Sequence, residues 1–392
     1  MSQRAAENPG AAFSEAVDVV PSPCFLLDEA LLRSNLELLD RVQRASGAKI
    51  ICALKGFAMY SAFPLVRQYL PGVTASSLSE ALLGEREFGG EVHAYVPAYV
   101  PAEFDEIARI ASHVTFNSLS EFGRYRHRLG RASAGLRINP EYAEVETDLY
   151  NPCVPGSRLG VTAAQLGGTL PDGIEGLHFH TLCEKGADTL ARTLVHVEQK
   201  FSTQLRRVRW LNMGGGHAIT RRGYDVEHLI ALIRGMGERY PNLEQIVLEP
   251  GSAVAWETGC LVATVLDVVE NAGSRTAMLD TSFAAHMPDT LEMPYRPRVR
   301  GAVDALADPD ARGHRFNLGG LTCLAGDYMP GYAFSAPIEP GARVVFEDMI
   351  HYTMVKTTTF NGVNLPAIAI ARETGAVDVI KTFGYEDYRR RL

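Results

Sequence analysis

Short apolar runs alternate with longer amphipathic segments between about residues 30 and 253. Segment 29–45 predicts a helix with an apolar face at helical spacing, formed by Leu31, Leu32, Leu36, Leu38, Leu39 and Val42. Further helices are predicted at 102–111, 188–205 and 226–240. The apolar runs predict eight strands, at 49–53, 72–75, 92–97, 113–116, 135–138, 174–179, 208–213 and 245–248.

Helix starts and element count favour one fold class. The patterns Ser77 to Glu80 and Ser118 to Glu121 are capping boxes, which predict a helix N-terminus at each site. Eight strand–helix units over roughly 220 residues suit a (β/α)8 TIM-type barrel, whose usual size is about 250 residues. A doubly wound open sheet is the alternative, but no G-x-G-x-x-G follows the first strand.

The pattern changes after residue 253, where short β-like runs are separated by Gly, Pro and Asp. Segment 16–27 also predicts a strand, which we expect to join these later runs in one sheet. The expected organisation is an N-terminal tail and strand (1–29), the barrel (30–253) and a β-rich C-terminal domain (254–392). The strands predicted in the last region are 261–269, 276–279, 343–346, 352–356 and 367–371.

Composition narrows the class of partner. The net charge is −8, from 46 acidic and 38 basic residues, which argues against a nucleic-acid partner and suits a cationic small molecule. The six cysteines show no C-x-x-C pair, and no apolar run is long enough for a membrane span or a signal peptide. We therefore expect a cytoplasmic protein without a membrane or nucleic-acid partner.

Candidate chemistry stands at the ends of the predicted strands, where TIM barrels carry their active sites. Lys55 follows the first strand, and partial burial there would favour its neutral amine, which can bond to an aldehyde. His178 and His180 alternate at the end of the sixth strand, so they face the same way. They could hold a metal, but only Cys183 and Glu184 lie nearby as further ligands, so we expect no metal.

Two further strand ends suit a phosphorylated heteroaromatic ring. Gly214, Gly215 and Gly216 follow the seventh strand, and backbone N–H groups can approach a phosphate there because no Cβ is in the way. Glu249 follows the eighth strand, where a carboxylate could keep a pyridine nitrogen protonated. Each feature alone has an ordinary structural explanation: a solvated lysine, a core histidine, a plain glycine loop or a capping glutamate.

The order of these features resembles the fold III pyridoxal-phosphate (PLP) decarboxylases, a family that includes ornithine and diaminopimelate decarboxylases. The finer similarity is to its carboxynorspermidine/carboxyspermidine decarboxylase branch, and it extends from about residue 20 to 372. The segments that carry it are 53–57 (ALKGF), 176–184 (GLHFHTLCE), 213–217 (MGGGH), 248–251 (LEPG), 282–297 (SFAAHMPDTLEMPYRP), 322–327 (TCLAGD) and 346–363 (FEDMIHYTMVKTTTFNGV).

The resemblance implies a role for each matching residue. Lys55 holds PLP covalently, His180 stacks on its ring and Glu249 pairs with the pyridine nitrogen. Phosphate binding is implied for Gly214, Gly215, Gly216, Gly251 and the hydroxyl of Tyr352, with Arg137 supporting the cofactor site.

A homodimer with shared active sites is also implied. Cys323 would enter from the second subunit as the proton donor to the α-carbon. Asp327 would enter with it and bind the substrate's distal amine.

Departures from the diaminopimelate enzymes bear on the substrate. Leu324 stands where those enzymes have a Glu after the cysteine, and Ser252 replaces the Arg that follows their E-P-G. Without that Arg a distal carboxylate lacks a bidentate partner, which favours a long cationic tail. The acids predicted to bind such a tail are Glu184, Asp289, Glu292 and Asp327.

Carboxynorspermidine and carboxyspermidine differ by one methylene, and the residues do not choose between them. Another fold III substrate such as diaminopimelate, or a related aminoacyl amine, is a further alternative. An amino-acid racemase of the same fold is disfavoured by Glu249, because such enzymes tend to pair the ring nitrogen with Arg. A non-catalytic PLP carrier is disfavoured by the presence of both Lys55 and Cys323.

Overall fold

A computed structural model describes residues 9–145 and 147–392 of the chain, with side chains from residue 13 onward. The strands in chain order are β1 (Cys24–Asp28), β2 (Lys49–Ile50), β3 (Cys52–Ala53), β4 (Gly72–Ala75), β5 (Glu91–Tyr95), β6 (His113–Phe116), β7 (Ser133–Arg137), β8 (Gly176–His178), β9 (Trp210–Asn212), β10 (Gln245–Leu248), β11 (Gly259–Asn271), β12 (Ser274–Leu279), β13 (Ala302–Asp304), β14 (His314–Gly319), β15 (Tyr328–Phe334), β16 (Arg343–Glu347), β17 (Ala367–Ala371) and β18 (Val377–Lys381).

The four helices predicted from amphipathic segments are all present, with ends shifted by at most two residues. In chain order they are α1 (Pro9–Val19), α2 (Glu29–Ser46), α3 (Phe63–Val66), α4 (Leu78–Leu83), α5 (Phe104–Ile110), α6 (Leu119–Tyr125), α7 (Ala163–Leu166), α8 (Ala187–Leu205), α9 (Val226–Arg239), α10 (Ser252–Ala255), α11 (Phe283–His286), α12 (Asp289–Glu292) and α13 (Tyr385–Arg391). Short 3-10 or π-helical turns occupy Tyr60–Ala62, Gly84–Phe88, Arg126–Arg128, Asp148–Tyr150 and Phe360–Gly362.

Two compact units make up the chain. One is Ser34–Val254, and the other joins the residues up to Arg33 with Ala255–Leu392. No helix in the described part of the chain is long and apolar enough to span a membrane.

The first unit is the predicted barrel. Strands β3 to β10 pair in parallel in chain order, and β10 also pairs with β2. β2 and β3 are two halves of the predicted first strand, interrupted only at Ile51. The Ile51 N–H donates to Leu248 O (3.0 Å) and the Ala53 N–H donates to Pro250 O (3.0 Å), so the first strand and the last meet and close the sheet.

Trp210 fills the N-terminal end of this barrel. A Cβ added at Gly135 or Gly176 would lie inside the van der Waals shell of the Trp210 ring. The indole N–H donates to Ser133 Oγ (2.8 Å). These two glycines on neighbouring strands therefore make room for the indole.

Both predicted capping boxes are half right. Ser77 Oγ accepts the Glu80 N–H and Ser118 Oγ accepts the Glu121 N–H, as predicted. The returning glutamates bond elsewhere, because Glu80 accepts from the backbone of Ser76, and Glu121 from those of Asn117 and Tyr99. Each glutamate thus ties its helix to the preceding strand end.

The second unit is built on a mixed sheet, in which β1 pairs in parallel with β17 and antiparallel with β11. β1 therefore lies in one sheet with C-terminal strands, where the sequence predicts a longer strand at 16–27. The predicted length is wrong, because α1 occupies residues 9–19 and only Cys24–Asp28 is extended. Phe13, Ala16, Val17 and Val20 recur at helical spacing and are all buried in one core cluster.

The strand predicted at 352–356 is also wrong. This segment forms consecutive turns, with the Met354 N–H on His351 O (3.1 Å) and the Lys356 N–H on Tyr352 O (3.0 Å). Conversely, β15 was not predicted, because Pro330 and Gly331 interrupt its apolar pattern.

Candidate active site

Glycines bring the first and last strand ends of the barrel together. Lys55 lies in the turn after β3, and Glu249 directly follows β10. A Cβ on Gly56 would be 2.8 Å from Gly251 Cα, so the two turns touch backbone to backbone. Because neither turn could come so close with a side chain at residue 56, the lysine and the glutamate share one rim.

Lys55 is an accessible amine in a dense protein environment. Its side chain reaches solvent, although protein atoms surround it on most sides. This surrounding protein lowers the pKa of Lys55, the positive charge of Arg137 lowers it further, and Glu249 and Glu80 oppose the shift. The rim therefore holds an amine with an increased neutral fraction, within the electrostatic reach of the Glu249 carboxylate.

Glu249 is a buried carboxylate with one side-chain hydrogen bond and one imidazole nearby. Asn212 Nδ2 donates to its Oε1 (2.7 Å), and His178 Nε2 lies 3.6 Å from its Oε2. Burial raises the pKa of Glu249, but His178, the Asn212 amide and the more distant His93 outweigh burial and hold it at about 2. A negative charge is thus fixed at the barrel mouth at neutral pH.

His180 presents a neutral ring beside these groups. Its Nδ1 accepts the backbone N–H of Gly215 (2.8 Å), so the remaining proton belongs on Nε2. Burial places the pKa of His180 well below its usual value, and the positive charges of Lys55 and Arg137 add to this effect. Arg137 Nη2 also donates to the carbonyl oxygen of His180 (3.1 Å), which fixes the backbone of this turn.

The glycine run is sterically required. A Cβ on Gly214 would collide with Phe179 O, one on Gly215 with Glu249 O and one on Gly216 with Leu182 O. Gly214 and Gly216 also have φ values of +68° and +81°. The loop therefore lies against the ends of β8 and β10, as a cradle without side chains.

Two of the three glycine amides already have partners. The Gly214 N–H donates to Asn212 Oδ1 (2.8 Å) and the Gly215 N–H to His180. Of the backbone N–H groups predicted to contact the phosphate, those of Gly216 and of Gly251 at the neighbouring turn are therefore the better candidates. These groups together suit PLP. The accessible amine suits its aldehyde, the fixed carboxylate its pyridine nitrogen, the neutral flat ring its own ring, and the bare loop its phosphate.

Comparisons with known proteins agree with this arrangement. The family model described as "Pyridoxal-dependent decarboxylase, C-terminal sheet domain" matches residues 24–350. The chain is 52% identical over 375 residues to carboxyaminopropylagmatine decarboxylase of Synechocystis sp., covering 95% of this chain and 96% of the relative. The chain belongs to the family of pyridoxal-dependent decarboxylases. This decarboxylase is accordingly a carboxy-lyase of the predicted fold class.

Other relatives place the decarboxylase within this family. It is 43% identical over 379 residues to carboxynorspermidine/carboxyspermidine decarboxylase of Campylobacter jejuni, covering 95% of this chain and 98% of the relative. The crystal structure of Campylobacter jejuni carboxynorspermidine decarboxylase complexed with norspermidine matches with a TM-score of 0.88 at 42% identity, covering 95% of this chain and 100% of that one. Helicobacter pylori diaminopimelate decarboxylase matches with a TM-score of 0.80 at 16% identity, covering 97% and 98% of the two chains, which shows a shared fold.

The remaining predicted residues of this decarboxylase, apart from Glu184, lie in the second unit. Cys323 is exposed in the loop after β14, and its N–H donates to Asn361 Oδ1 (3.0 Å). Tyr352 lies in the consecutive turns at 351–356. The predicted roles of both residues and their entry from a second subunit stay predictions.

Asp327 needs a correction. It is buried, and its carboxylate accepts hydrogen bonds from the side chains of Ser282 and Thr322 and from the backbones of Phe283, Ala284 and Thr322. These donors use the acceptor capacity of both oxygens. We therefore assign Asp327 a structural role in holding the Cys323 loop, in place of the predicted amine contact.

The other predicted acids differ in availability. Glu292 pairs with Lys356, and Glu184 is exposed on the barrel with a φ of +52°. Asp289 is buried, and its Oδ2 accepts from the hydroxyls of Tyr295 (2.7 Å) and Thr353 (2.8 Å). Its Oδ1 is buried and has no hydrogen-bond partner among the described residues.

Sequence reasoning missed Asn212. This residue ends β9 and touches both Glu249 and the glycine loop. A signal was present: a buried amide at the last position of an apolar strand, two residues before a glycine run, needs nearby partners.

Proposed function

We propose that this decarboxylase uses PLP held on Lys55 to remove the α-carboxylate from a carboxyaminopropyl amine. Such a substrate joins an α-amino-acid head to a longer cationic tail through a secondary amine. One observation supports this most: the turns of Lys55 and Glu249 touch at Gly56 and Gly251, in a chain 52% identical to carboxyaminopropylagmatine decarboxylase over 95% of its length.

Each residue of the rim has a physical task in this chemistry. Bound PLP would supply the sink for the electron pair that remains when CO₂ leaves. Lys55 is suited to hold the aldehyde carbon because its lowered pKa increases the fraction of neutral Nζ. Glu249, ionised at neutral pH, would keep the pyridine nitrogen protonated by opposite charge.

Three further groups would orient and complete the reaction. The neutral His180 ring offers a flat face for stacking, and the bare loop at Gly216 with Gly251 would receive the phosphate. The Cys323 thiol would return a proton to the α-carbon. We propose this last step from the family resemblance, together with the homodimer that would bring Cys323 to the site.

Asp289 is the acid we propose for the cationic tail. Tyr295 and Thr353 hold one of its oxygens, and the other is a buried acceptor without a described partner. A buried acceptor of this kind is costly unless a donor arrives, and a charged donor gives the strongest bond. Glu292 has Lys356 as its partner and serves as a matched control.

The candidate substrates differ in the cationic group at the end of the tail. Carboxyaminopropylagmatine ends in a guanidinium where carboxyspermidine ends in an ammonium, so both suit the Asp289 oxygen that has no described partner. The higher identity to the Synechocystis enzyme favours the guanidinium-ended substrate. The 43% identity to the Campylobacter enzyme makes carboxyspermidine and carboxynorspermidine the second candidates.

A substrate panel scored by CO₂ release tests the proposal. We expect the highest kcat/KM with carboxyaminopropylagmatine, lower values with carboxyspermidine and carboxynorspermidine, and none with meso-diaminopimelate. Asp289→Asn should raise KM for every long cationic substrate by about 10-fold or more, the loss expected for one hydrogen bond to a charged group, whereas Glu292→Gln should leave KM near wild type. Loss of optical rotation without CO₂ would instead indicate a racemase.

Covalent attachment of the cofactor is tested separately. Lys55→Ala should leave no borohydride-fixable PLP adduct, whereas Lys200→Ala, which removes an exposed ion pair with Glu141, should retain it. A persistent adduct in Lys55→Ala would refute the assignment of this lysine.

A further inference from the structure

We propose that Asn212 is a positioning residue. Its single side-chain amide fixes the position of the Glu249 carboxylate relative to the glycine loop. Its Nδ2 donates to Glu249 Oε1 (2.7 Å), and its Oδ1 accepts the Gly214 N–H (2.8 Å). The inference rests on the proposed cofactor role of Glu249.

The chemistry of the two partners fixes the orientation of the amide. The ionised Glu249 carboxylate can only accept, and the Gly214 N–H can only donate. The Asn212 side chain must therefore turn its NH₂ to the carboxylate and its oxygen to the loop. A carboxylate, a hydroxyl or an apolar group of similar size cannot satisfy both partners in this geometry.

The hydrogen bonds made by Asn212 continue through the glycine loop to His180. The next amide, Gly215 N–H, donates to His180 Nδ1. A short chain of bonds thus runs from Glu249 through Asn212 and the glycine loop to the His180 ring. Asn212 is 2% exposed, so water cannot readily replace the bonds that its removal would break.

Backbone contacts alone do not fix the position of the Glu249 carboxylate. The Glu249 N–H donates to Gly214 O (2.8 Å), which places the two backbones side by side. The carboxylate lies beyond this contact on its own rotatable bonds, with His178 Nε2 at 3.6 Å from Oε2. The Asn212 bond is therefore the one that ties Oε1 to the loop.

An isosteric substitution tests the proposal. Asn212→Asp keeps the acceptor for Gly214 but removes the donor to Glu249 and places two carboxylates together. We expect the affinity for PLP to fall by about 10- to 100-fold, the range for losing a hydrogen bond to a charged group. The absorption of bound PLP should also become pH-dependent between about pH 5 and 8, because two adjacent carboxylates hold one proton more tightly.

A double substitution separates positioning from a general loss of structure. In the double variant Asn212→Asp with Glu249→Gln, the side-chain amide of residue 249 can donate to the carboxylate of residue 212. The hydrogen bond between the two side chains therefore forms again in the opposite direction, and PLP affinity should recover relative to Asn212→Asp alone. Turnover should remain as low as in Glu249→Gln, because the charge at the ring nitrogen is still missing. A merely structural role for Asn212 would not produce this split between affinity and turnover.

Asn242→Asp is the matched control. Its Nδ2 donates to the carbonyl oxygens of Leu205 (2.8 Å) and Val208 (2.6 Å), away from the rim, so it tests the loss of a half-buried amide donor by itself. We expect a lower Tm with unchanged PLP affinity. PLP affinity and absorption of Asn212→Asp equal to wild type, or no recovery in the double variant, would overturn the inference while leaving the proposed function intact. A wild-type protein that takes up no PLP would overturn the proposed function itself.

Discussion

At the scale of single residues, the barrel mouth shows how burial selects protonation states. Lys55 is shifted towards its neutral amine and Glu249 towards its carboxylate, although surrounding protein disfavours charge on both. The difference lies in their partners. Glu249 has the amide donor Asn212 and a nearby imidazole, whereas Lys55 has the positive Arg137 close by.

His217 gives a prediction at this scale, because burial lowers its pKa to about 4 from 6.5. As the pH falls below 6.5, the unfolded chain takes up a proton that the native state resists until about pH 4. The free energy of unfolding should therefore fall across this window, by at most about 3 kcal/mol from this residue. His217→Gln should flatten the pH dependence of the denaturation midpoint between pH 6.5 and 4. His127→Gln, at an exposed position, is the control, and equal slopes for both variants would contradict the prediction.

At the scale of elements, the glycine loop depends on close backbone approach. A Cβ at Gly215 would be 2.2 Å from Glu249 O, and the backbone of Glu249 is itself held by its N–H, which donates to Gly214 O. Gly215→Ala should therefore displace the loop and reduce PLP affinity by about 10-fold or more, the size of effect expected when strain reaches 1 to 3 kcal/mol.

A second glycine provides the control for this prediction. Gly237 lies in α9 with open space around its Cβ position, so Gly237→Ala should leave PLP affinity unchanged and raise the Tm slightly. The measurement is a PLP titration followed by absorbance, with thermal unfolding of each apoprotein. Equal PLP affinities for Gly215→Ala and wild type would show that the loop can yield.

Elements with a clear period could be predicted from the sequence, and those with mixed signals could not. The strands at 72–75, 113–116 and 245–248 have the predicted bounds, because each is an apolar run between turn residues. α1 was misassigned because the valines near residues 17–20 also suit a strand, and only the burial of Phe13 and Ala16 reveals the helical face.

The residues of the candidate site also differ in how well they could be predicted from the sequence. Residues whose chemistry follows from a strand end, Lys55 and Glu249 above all, could be placed at the rim from the sequence. Asn212 could not, because its role depends on two partners 2 and 37 positions away. Asp327 was misassigned because a sequence motif shows an acid but not the five donors that surround it.

At the scale of the whole molecule, the loop that carries Cys323 is held from both sides of its own unit. Asp327 accepts from Thr322 immediately before the cysteine, and Asn361 accepts the Cys323 N–H itself. The cysteine is nevertheless exposed, and the nearby side chains of Leu321, Leu324 and Phe360 are exposed as well. A fixed thiol within an exposed apolar patch is the arrangement expected if a second copy covers it.

The proposed homodimer can be tested by mixing two inactive variants. If Cys323 acts in the site of the other subunit, a dimer of one Lys55→Ala chain and one Cys323→Ala chain contains one site with both native residues. Random exchange in an equal mixture should therefore restore about one quarter of wild-type turnover, since about half of the dimers are mixed and each has one complete site. The variants are combined after brief dissociation in dilute denaturant, and CO₂ release is followed over time. Mixing Lys55→Ala with itself should restore nothing, and no recovery in the mixed sample, despite exchange shown by a tagged subunit, would place Cys323 in its own subunit's site or outside catalysis.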